Sequence, residues 1–100
     1  MNLPSSVKIG AINYRIQEKE VVDNELTNWG LCVLHDNHIE VLASLSEERK
    51  EQTLIHEILH AIFCEAGFGE QDEDLINRVG IVLYQVLKDN NLFCQLGEER

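Results

Sequence analysis

Basic side chains are scarce in this chain of 100 residues, which has 8 lysines and arginines against 18 aspartates and glutamates and a net charge of −10. Neutralising the phosphates of nucleic acid, or the head groups of an anionic membrane, takes clustered lysine and arginine. The charge balance therefore argues against nucleic acid and against such a membrane as direct partners. It favours a basic or neutral protein as the binding partner.

Long apolar runs and the features of a secretory signal are also lacking. No stretch approaches the roughly 20 residues that span a bilayer, and the start Met-Asn-Leu-Pro-Ser-Ser lacks the charged and apolar regions of a signal peptide. The cysteines Cys32, Cys64 and Cys94 are odd in number and far apart, which is typical of reduced thiols. We therefore expect a cytoplasmic protein.

Length and composition predict one domain over residues 1–100. A chain of this length supports one hydrophobic core but no second lobe, and 44% hydrophobic with 26% charged residues is ordinary globular composition. We expect an α+β fold, in which a small antiparallel sheet of about three strands packs beside two main helices.

Three segments are predicted to form the sheet. Residues 7–17 partly alternate apolar and polar side chains, which indicates a first strand, and residues 30–35 and 38–43 indicate two more. Asp36 and Asn37 make a tight turn between the last two segments, which should pair as a hairpin.

A first helix is predicted after the sheet. Ser44 and Ser46 precede acidic residues, so a hydroxyl cap and negative charge occupy the positive end of the helix, and Ser44 with Glu47 has capping-box spacing. Gly67 and Gly69 indicate where this helix ends.

The first helix contains an H-E-x-x-H motif, His56-Glu57-Ile58-Leu59-His60. Histidines four residues apart lie on one helix face, where both imidazoles can reach one zinc ion. Glu57 is displaced by one residue, within reach of a water at the metal, as a general base requires.

The setting of the motif supports a metal site. From Leu54 to Cys64 the motif supplies the only strongly polar side chains, so the helix should be buried nearly all round. Two buried imidazoles and a carboxylate need partners, which a metal with a bound water supplies at once. The alternative is a pair of core histidines hydrogen-bonded to the backbone or to carboxylates.

A third ligand is expected from the second helix, because catalytic zinc sites usually have three protein ligands. An acidic run over residues 70–74 opens this helix, which should continue to about Asp89. Glu73 shares a face with Gly80, and a glycine inside a helix often marks the close approach of another helix. Other residues on this face are Ile76, Leu83 and Leu87.

Glu73 is therefore our candidate third ligand, and Asp72 or Asp74 would replace it if the register is shifted by one. Glu70 is a weaker candidate. Cys64, four residues after His60, could bind through its thiolate, although a small apolar filler near a helix end is the simpler interpretation.

Two histidines and two tyrosines are further candidates for an oxyanion partner or a proton donor. His35 and His38 flank the hairpin turn and are expected to be exposed. Tyr14 and Tyr84 are expected to be packing residues whose hydroxyls reach water. The sequence favours none of the four for catalysis.

The order of hairpin, capped helix containing Thr53–Ala61, acidic turn and Glu73 resembles a small zincin of the gluzincin type. In particular it resembles short phage- or prophage-associated relatives of the ImmA/IrrE metallopeptidase family. The resemblance covers roughly residues 30–90, and its specific part is residues 56–80. Residues 81–86 depart from the Phe-Ala and Leu-Leu-Met-Pro segments of better-known members.

The resemblance implies His56, His60 and Glu73 as zinc ligands and Glu57 as the base. It implies hydrolysis of a peptide bond in a protein or peptide substrate, which in this family is a DNA-binding regulator of phage or mobile-element genes. The size of the chain invites an accessory protein for substrate recognition. An extended substrate is expected along the exposed edge of the hairpin sheet.

Two rival functions use the same residues without catalysis. One is an interaction module in which zinc holds two helices together, with a fourth protein ligand such as Cys64 or Asp72 closing the site. The other is a metal-free module whose acidic surface recognises a basic regulator.

Overall fold

The chain folds as an α+β domain, as predicted, in a computed structural model that describes residues 3–25 and 27–92. Cys94 lies outside the described residues. Four strands form one sheet in the order β1-β2-β4-β3, one more than the expected three or so. The elements are β1 (Ser6–Ile9), β2 (Ile12–Lys19), β3 (Gly30–Val33), β4 (His38–Leu42), α1 (Glu47–Glu65) and α2 (Glu73–Asp89).

The extra strand arises because the segment predicted as one strand over residues 7–17 is a hairpin. Gly10 and Ala11 both have positive φ, +58° and +69°, which is the backbone of a two-residue turn between antiparallel strands. Ile9 and Ile12 face each other across this turn. The alternation of side chains continues through the turn, so the pattern alone did not separate the two strands.

The predicted hairpin of β3 and β4 is confirmed, with strands one or two residues shorter than expected. The sheet is mixed, not wholly antiparallel, because β4 also pairs in parallel with β2. This pairing places β4 inside the sheet and β3 at its edge. The edge strand therefore presents one side to a ligand.

Helix α1 begins and ends with side-chain and backbone caps. The Ser46 hydroxyl accepts a hydrogen bond from the backbone N–H of Arg49 at 3.2 Å, so Ser46 is the N-cap. At the other end Gly67 has φ +99°, and the N–H of Phe68 donates to the carbonyl of Phe63 at 2.9 Å. The two phenyl rings also touch, with centroids 5.5 Å apart, which completes a Schellman motif.

The hydrophobic core lies between the sheet and α1. Its buried members are Ile9, Tyr14, Ile39, Val41, Leu54, Ile55, Ile58 and Ala61. Helix α2 packs on the outer side of α1, so the domain has three layers. Within the described residues, neither helix is long and apolar enough to cross a membrane.

Two sets of contacts, one in the middle of α2 and one near its end, hold α2 antiparallel to α1. Gly80 is buried against α1, and a Cβ added there would lie 3.4 Å from Leu59 Cδ1. Near the end of α2, Tyr84 Oη and Lys88 Nζ each donate to Glu51 Oε1 at 2.8 Å, and the Glu51 side chain is only 1% exposed. These contacts fix the position of the first turn of α2 relative to α1.

We predict that Ser46→Ala lowers the free energy of unfolding by about 1 kcal/mol, because the first turn of α1 loses its side-chain acceptor. Ser44→Ala is the matched control, since Ser44 is exposed and precedes the cap. Urea denaturation of both variants measures the difference. Equal losses from the two serines would contradict the assignment of the cap.

Candidate metal centre

Three side chains from α1 and α2 bring their ligand atoms together. His56 Nε2 lies 3.2 Å from His60 Nε2, and the Glu73 carboxylate bridges them, with Oε1 2.7 Å from His56 Nε2 and Oε2 3.1 Å from His60 Nε2. Among the described residues this is the one cluster of three metal-binding donors. The three predicted ligands His56, His60 and Glu73, called the trio below, are therefore adjacent in space.

The spacing of these atoms fits one small divalent cation. Ligands about 2.0–2.1 Å from a tetrahedral zinc lie about 3.3 Å from one another. The two imidazole nitrogens are 3.2 Å apart, and each lies 2.7 or 3.1 Å from a different oxygen of the Glu73 carboxylate. Two imidazole nitrogens and one carboxylate are also the donor set of His2Glu catalytic zinc sites. The donors thus fit zinc in both chemistry and spacing.

The loop residue Gln71 fixes the orientation of the His60 ring. Its Nε2 donates to the carbonyl oxygen of His60 at 3.2 Å, so its Oε1 must be the atom that faces His60 Nδ1 at 2.6 Å. Because an amide oxygen only accepts, Nδ1 carries the proton. In the neutral ring, the lone pair on Nε2 therefore points at His56 and Glu73.

A lone pair aimed at a carboxylate oxygen and a second imidazole is repulsive unless a positive charge lies between them. A proton on one ring supplies such a charge, and a metal cation satisfies all three groups together. Desolvation lowers the pKa of His56, although the charge of Glu73 opposes this effect. Burial thus favours the neutral imidazole that a metal requires.

Glu57 lies beside the trio and outside it. Its side chain is buried, with the whole residue 8% exposed, and its Oε2 is 4.0 Å from His56 Nε2. Burial raises its pKa to about 7; the charge of His60 lowers it and that of Glu73 raises it. A bound dication would lower this pKa again. The Glu57 carboxylate therefore lies next to the three donors without being one of them.

An open cleft of about 620 Å³ gives access to these groups. It runs between the β3 edge and the two helices, and its lining includes His56, Glu57, His60 and Glu73. Gly30, the first residue of β3, makes this arrangement possible. A Cβ at Gly30 would lie 2.6 Å from Thr53 Cγ2 and 3.1 Å from Glu57 Oε2.

The acidic neighbours of Glu73 have other tasks. Helix α2 begins at Glu73, inside the acidic run over residues 70–74, and Asp72 is its N-cap, accepting from the backbone N–H of Asp74 and Leu75. The Asp74 carboxylate pairs with Arg78 at 3.6 Å. Glu73, with a side chain 62% exposed, is the acid in this turn that reaches both histidines.

The remaining polar rings lie away from the trio. His35 is exposed, as expected, whereas His38 has a side chain only 12% exposed and contacts Asp36 and Glu40. The expectation of an exposed His38 was therefore wrong, because β4 lies inside the sheet. Neither histidine lines the cleft.

The two tyrosine hydroxyls bind carboxylates, although water was expected to reach them. Tyr14 donates to Glu65 at 2.7 Å and Tyr84 to Glu51 at 2.8 Å. Burial is the main reason that the pKa of each is raised above its usual range. The Cys64 thiol is half-buried and lies outside the donor cluster that the described residues form.

Sequence reasoning missed Gln71 and Gly30. Gln71 lies in an acidic turn, where the pattern gives no sign of a contact with His60. Gly30 was noted only as the start of a strand, although a glycine within a strand signals the close approach of another group.

Comparison of the chain with protein-family models, with curated proteins and with solved structures gives no match.

We predict that Gly30→Ala destabilises the domain by about 1–3 kcal/mol, because the new methyl overlaps Thr53 Cγ2. Thr53→Ser removes that methyl, so the double variant should recover part of the loss relative to Gly30→Ala alone. Denaturation of the parent, the two single variants and the double variant measures this coupling. Gly30→Ala within about 0.5 kcal/mol of the parent would contradict the close packing.

A second prediction concerns Gln71. Gln71→Ala should weaken zinc binding by about 10- to 100-fold, because the His60 ring loses the group that orients it. Gln71→Glu keeps an acceptor for Nδ1–H and should lose less. Competition with a chromophoric chelator gives the affinity, with Gln85→Ala on the exposed side of α2 as control. An affinity unchanged by Gln71→Ala would exclude this role.

Proposed function

We propose that the protein is a zinc-dependent metallopeptidase that hydrolyses a peptide bond in a protein or peptide substrate. The observation that carries this proposal is the convergence of His56 Nε2, His60 Nε2 and the Glu73 carboxylate beside a separate buried carboxylate, Glu57. Zinc held there would lower the pKa of a water and polarise a substrate carbonyl.

Each residue of the site has a distinct task in this proposal. His56, His60 and Glu73 hold the cation, and Gln71 keeps the His60 Nε2 lone pair directed at it. Glu57 accepts the proton of the attacking water and delivers it to the leaving amine. Its burial raises its pKa and so increases its affinity for that proton.

The edge strand supports a peptide as the substrate. Residues 29–31 line the cleft, and β3 has β4 on one side only, so its other side can hydrogen-bond an extended chain. A peptide added there would lie in the cleft that Glu57, His56 and His60 also line. A protein regulator that presents an exposed loop is the kind of partner that fits this geometry.

The donor set favours an enzyme over a zinc-stabilised module. Three protein donors leave a fourth position for water, and no fourth His, Cys, Asp or Glu joins the cluster among the residues that the structure describes. Closed structural zinc sites have four protein ligands. An open position is what hydrolysis requires.

The decisive experiment separates the base from the ligands. Glu57→Gln should bind one zinc per chain, like the parent, yet cleave a randomised peptide library at least about 100-fold more slowly, as expected for loss of a general base. Glu73→Gln should lose zinc. Elemental analysis and mass spectrometry of the cleaved library give the two measurements.

Glu48→Gln serves as the matched control, because Glu48 is an exposed glutamate in the first turn of α1. It should retain both zinc and cleavage. Loss of zinc from Glu57→Gln equal to that from Glu73→Gln would falsify the division between base and ligands. Full cleavage by Glu57→Gln would exclude Glu57 as the base.

A further inference from the structure

An arginine and a tryptophan lie together at one end of the cleft. The guanidinium carbon of Arg49 is 5.2 Å from the centre of the Trp29 ring, and its Nη1 donates to Gln52 Oε1 at 2.8 Å. All three residues line the cleft that contains the candidate metal centre. The contact with the ring restrains the guanidinium group, and several of its N–H groups remain available to donate hydrogen bonds to a ligand.

Arg49 differs from most of the described lysines and arginines because no carboxylate pairs with it. Five described lysines and arginines form ion pairs with aspartate or glutamate: Arg15, Lys19, Lys50, Arg78 and Lys88. Within the part of the chain that the structure describes, the Arg49 guanidinium contacts only the neutral Gln52 amide and the Trp29 ring. Its charge is therefore open to an anion that enters the cleft.

The distance from Arg49 to the metal position suits an extended peptide. Arg49 precedes His56 by seven residues on α1, which is two helical turns or about 10 Å. A peptide along β3 advances about 3.3 Å per residue. The peptide side chain that reaches Arg49 should therefore lie about three residues from the scissile bond beside Glu57.

Past Leu31, the lining along the chain has a different character. A smaller pocket of about 240 Å³ is lined by Leu31, Cys32 and Leu34 together with Glu57, His60 and Gln71. Among the described residues, no lysine or arginine lines this pocket. The two pockets share Leu31, Glu57 and His60. Residues 27–30 line only the cleft, whereas Cys32 and Leu34 line only the smaller pocket, so the two extend in opposite directions along the chain from Leu31.

We propose that Arg49 and Trp29 form an anion-recognition subsite that selects an acidic side chain about three residues from the scissile bond, on the side away from the Leu31–Leu34 pocket. This inference rests on the proposed peptidase function and names its substrate class. The favoured substrate is an extended peptide that carries one aspartate or glutamate on that side. A guanidinium supplies two parallel donors for such a carboxylate.

Peptide hydroxamates test this subsite without turnover, because the hydroxamate chelates zinc and fixes the position of the peptide. Two series would carry the chelating group at the amino or at the carboxyl end, each with Asp or Asn three residues away. Titration of the zinc-loaded protein, followed by the fluorescence of Trp29, the single tryptophan, gives the affinities. Calorimetry checks them.

We expect one of the two series to bind about fivefold more tightly with Asp than with Asn, as for a favourable, partly exposed ion pair. Arg49→Met should abolish this preference. Arg78→Met is the matched control, because it removes the same charge from a residue outside the cleft, and it should keep the preference.

Binding without a preference for Asp in either series, or a preference that survives Arg49→Met, would overturn the subsite and leave the peptidase proposal standing. Failure of every hydroxamate to bind the zinc-loaded protein would reject the peptidase centre and the subsite with it. The two failures are therefore distinguishable.

Discussion

The antiparallel packing of α2 on α1 is the constraint on which the candidate centre depends. Two histidines on one helix provide only two donors, and the third comes from the first residue of α2. Gly80 buried against Leu59, and Glu51 bonded to Tyr84 and Lys88, set the position of α2. Glu73 meets both imidazoles because these contacts, far from the centre, fix where its helix begins.

Burial gives the polar groups of the centre their chemical character. Desolvation favours the neutral form of His56 and raises the pKa of Glu57, so it favours metal ligation in the first and proton acceptance in the second. Gln71 contributes by binding Nδ1 of His60, so that the other ring nitrogen, Nε2, faces His56 and Glu73. The absence of a side chain at Gly30 leaves room for the Glu57 carboxylate, because an added Cβ would lie 3.1 Å from Glu57 Oε2.

Most features predicted correctly from sequence are set by local spacing, and the exception is the close approach of α2 to α1, which Gly80 indicated. Helical periodicity places His56 and His60 on one face, and the register of α2 brings Glu73 to them; that zinc binds there stays a prediction. The parallel pairing of β4 with β2 joins segments distant in the chain, and no local pattern encodes it. The Gly10–Ala11 turn and the cleft position of Arg49 likewise depend on tertiary context, which composition and periodicity do not report.

X-ray absorption spectroscopy of the zinc-loaded protein tests the central claim most directly, because it reports the atoms bound to the metal. The proposed centre predicts a shell of only nitrogen and oxygen at about 2.0–2.1 Å, with the multiple scattering of two imidazole rings. A sulfur ligand at about 2.3 Å, or a spectrum without two imidazoles, would contradict a centre built from His56, His60 and Glu73.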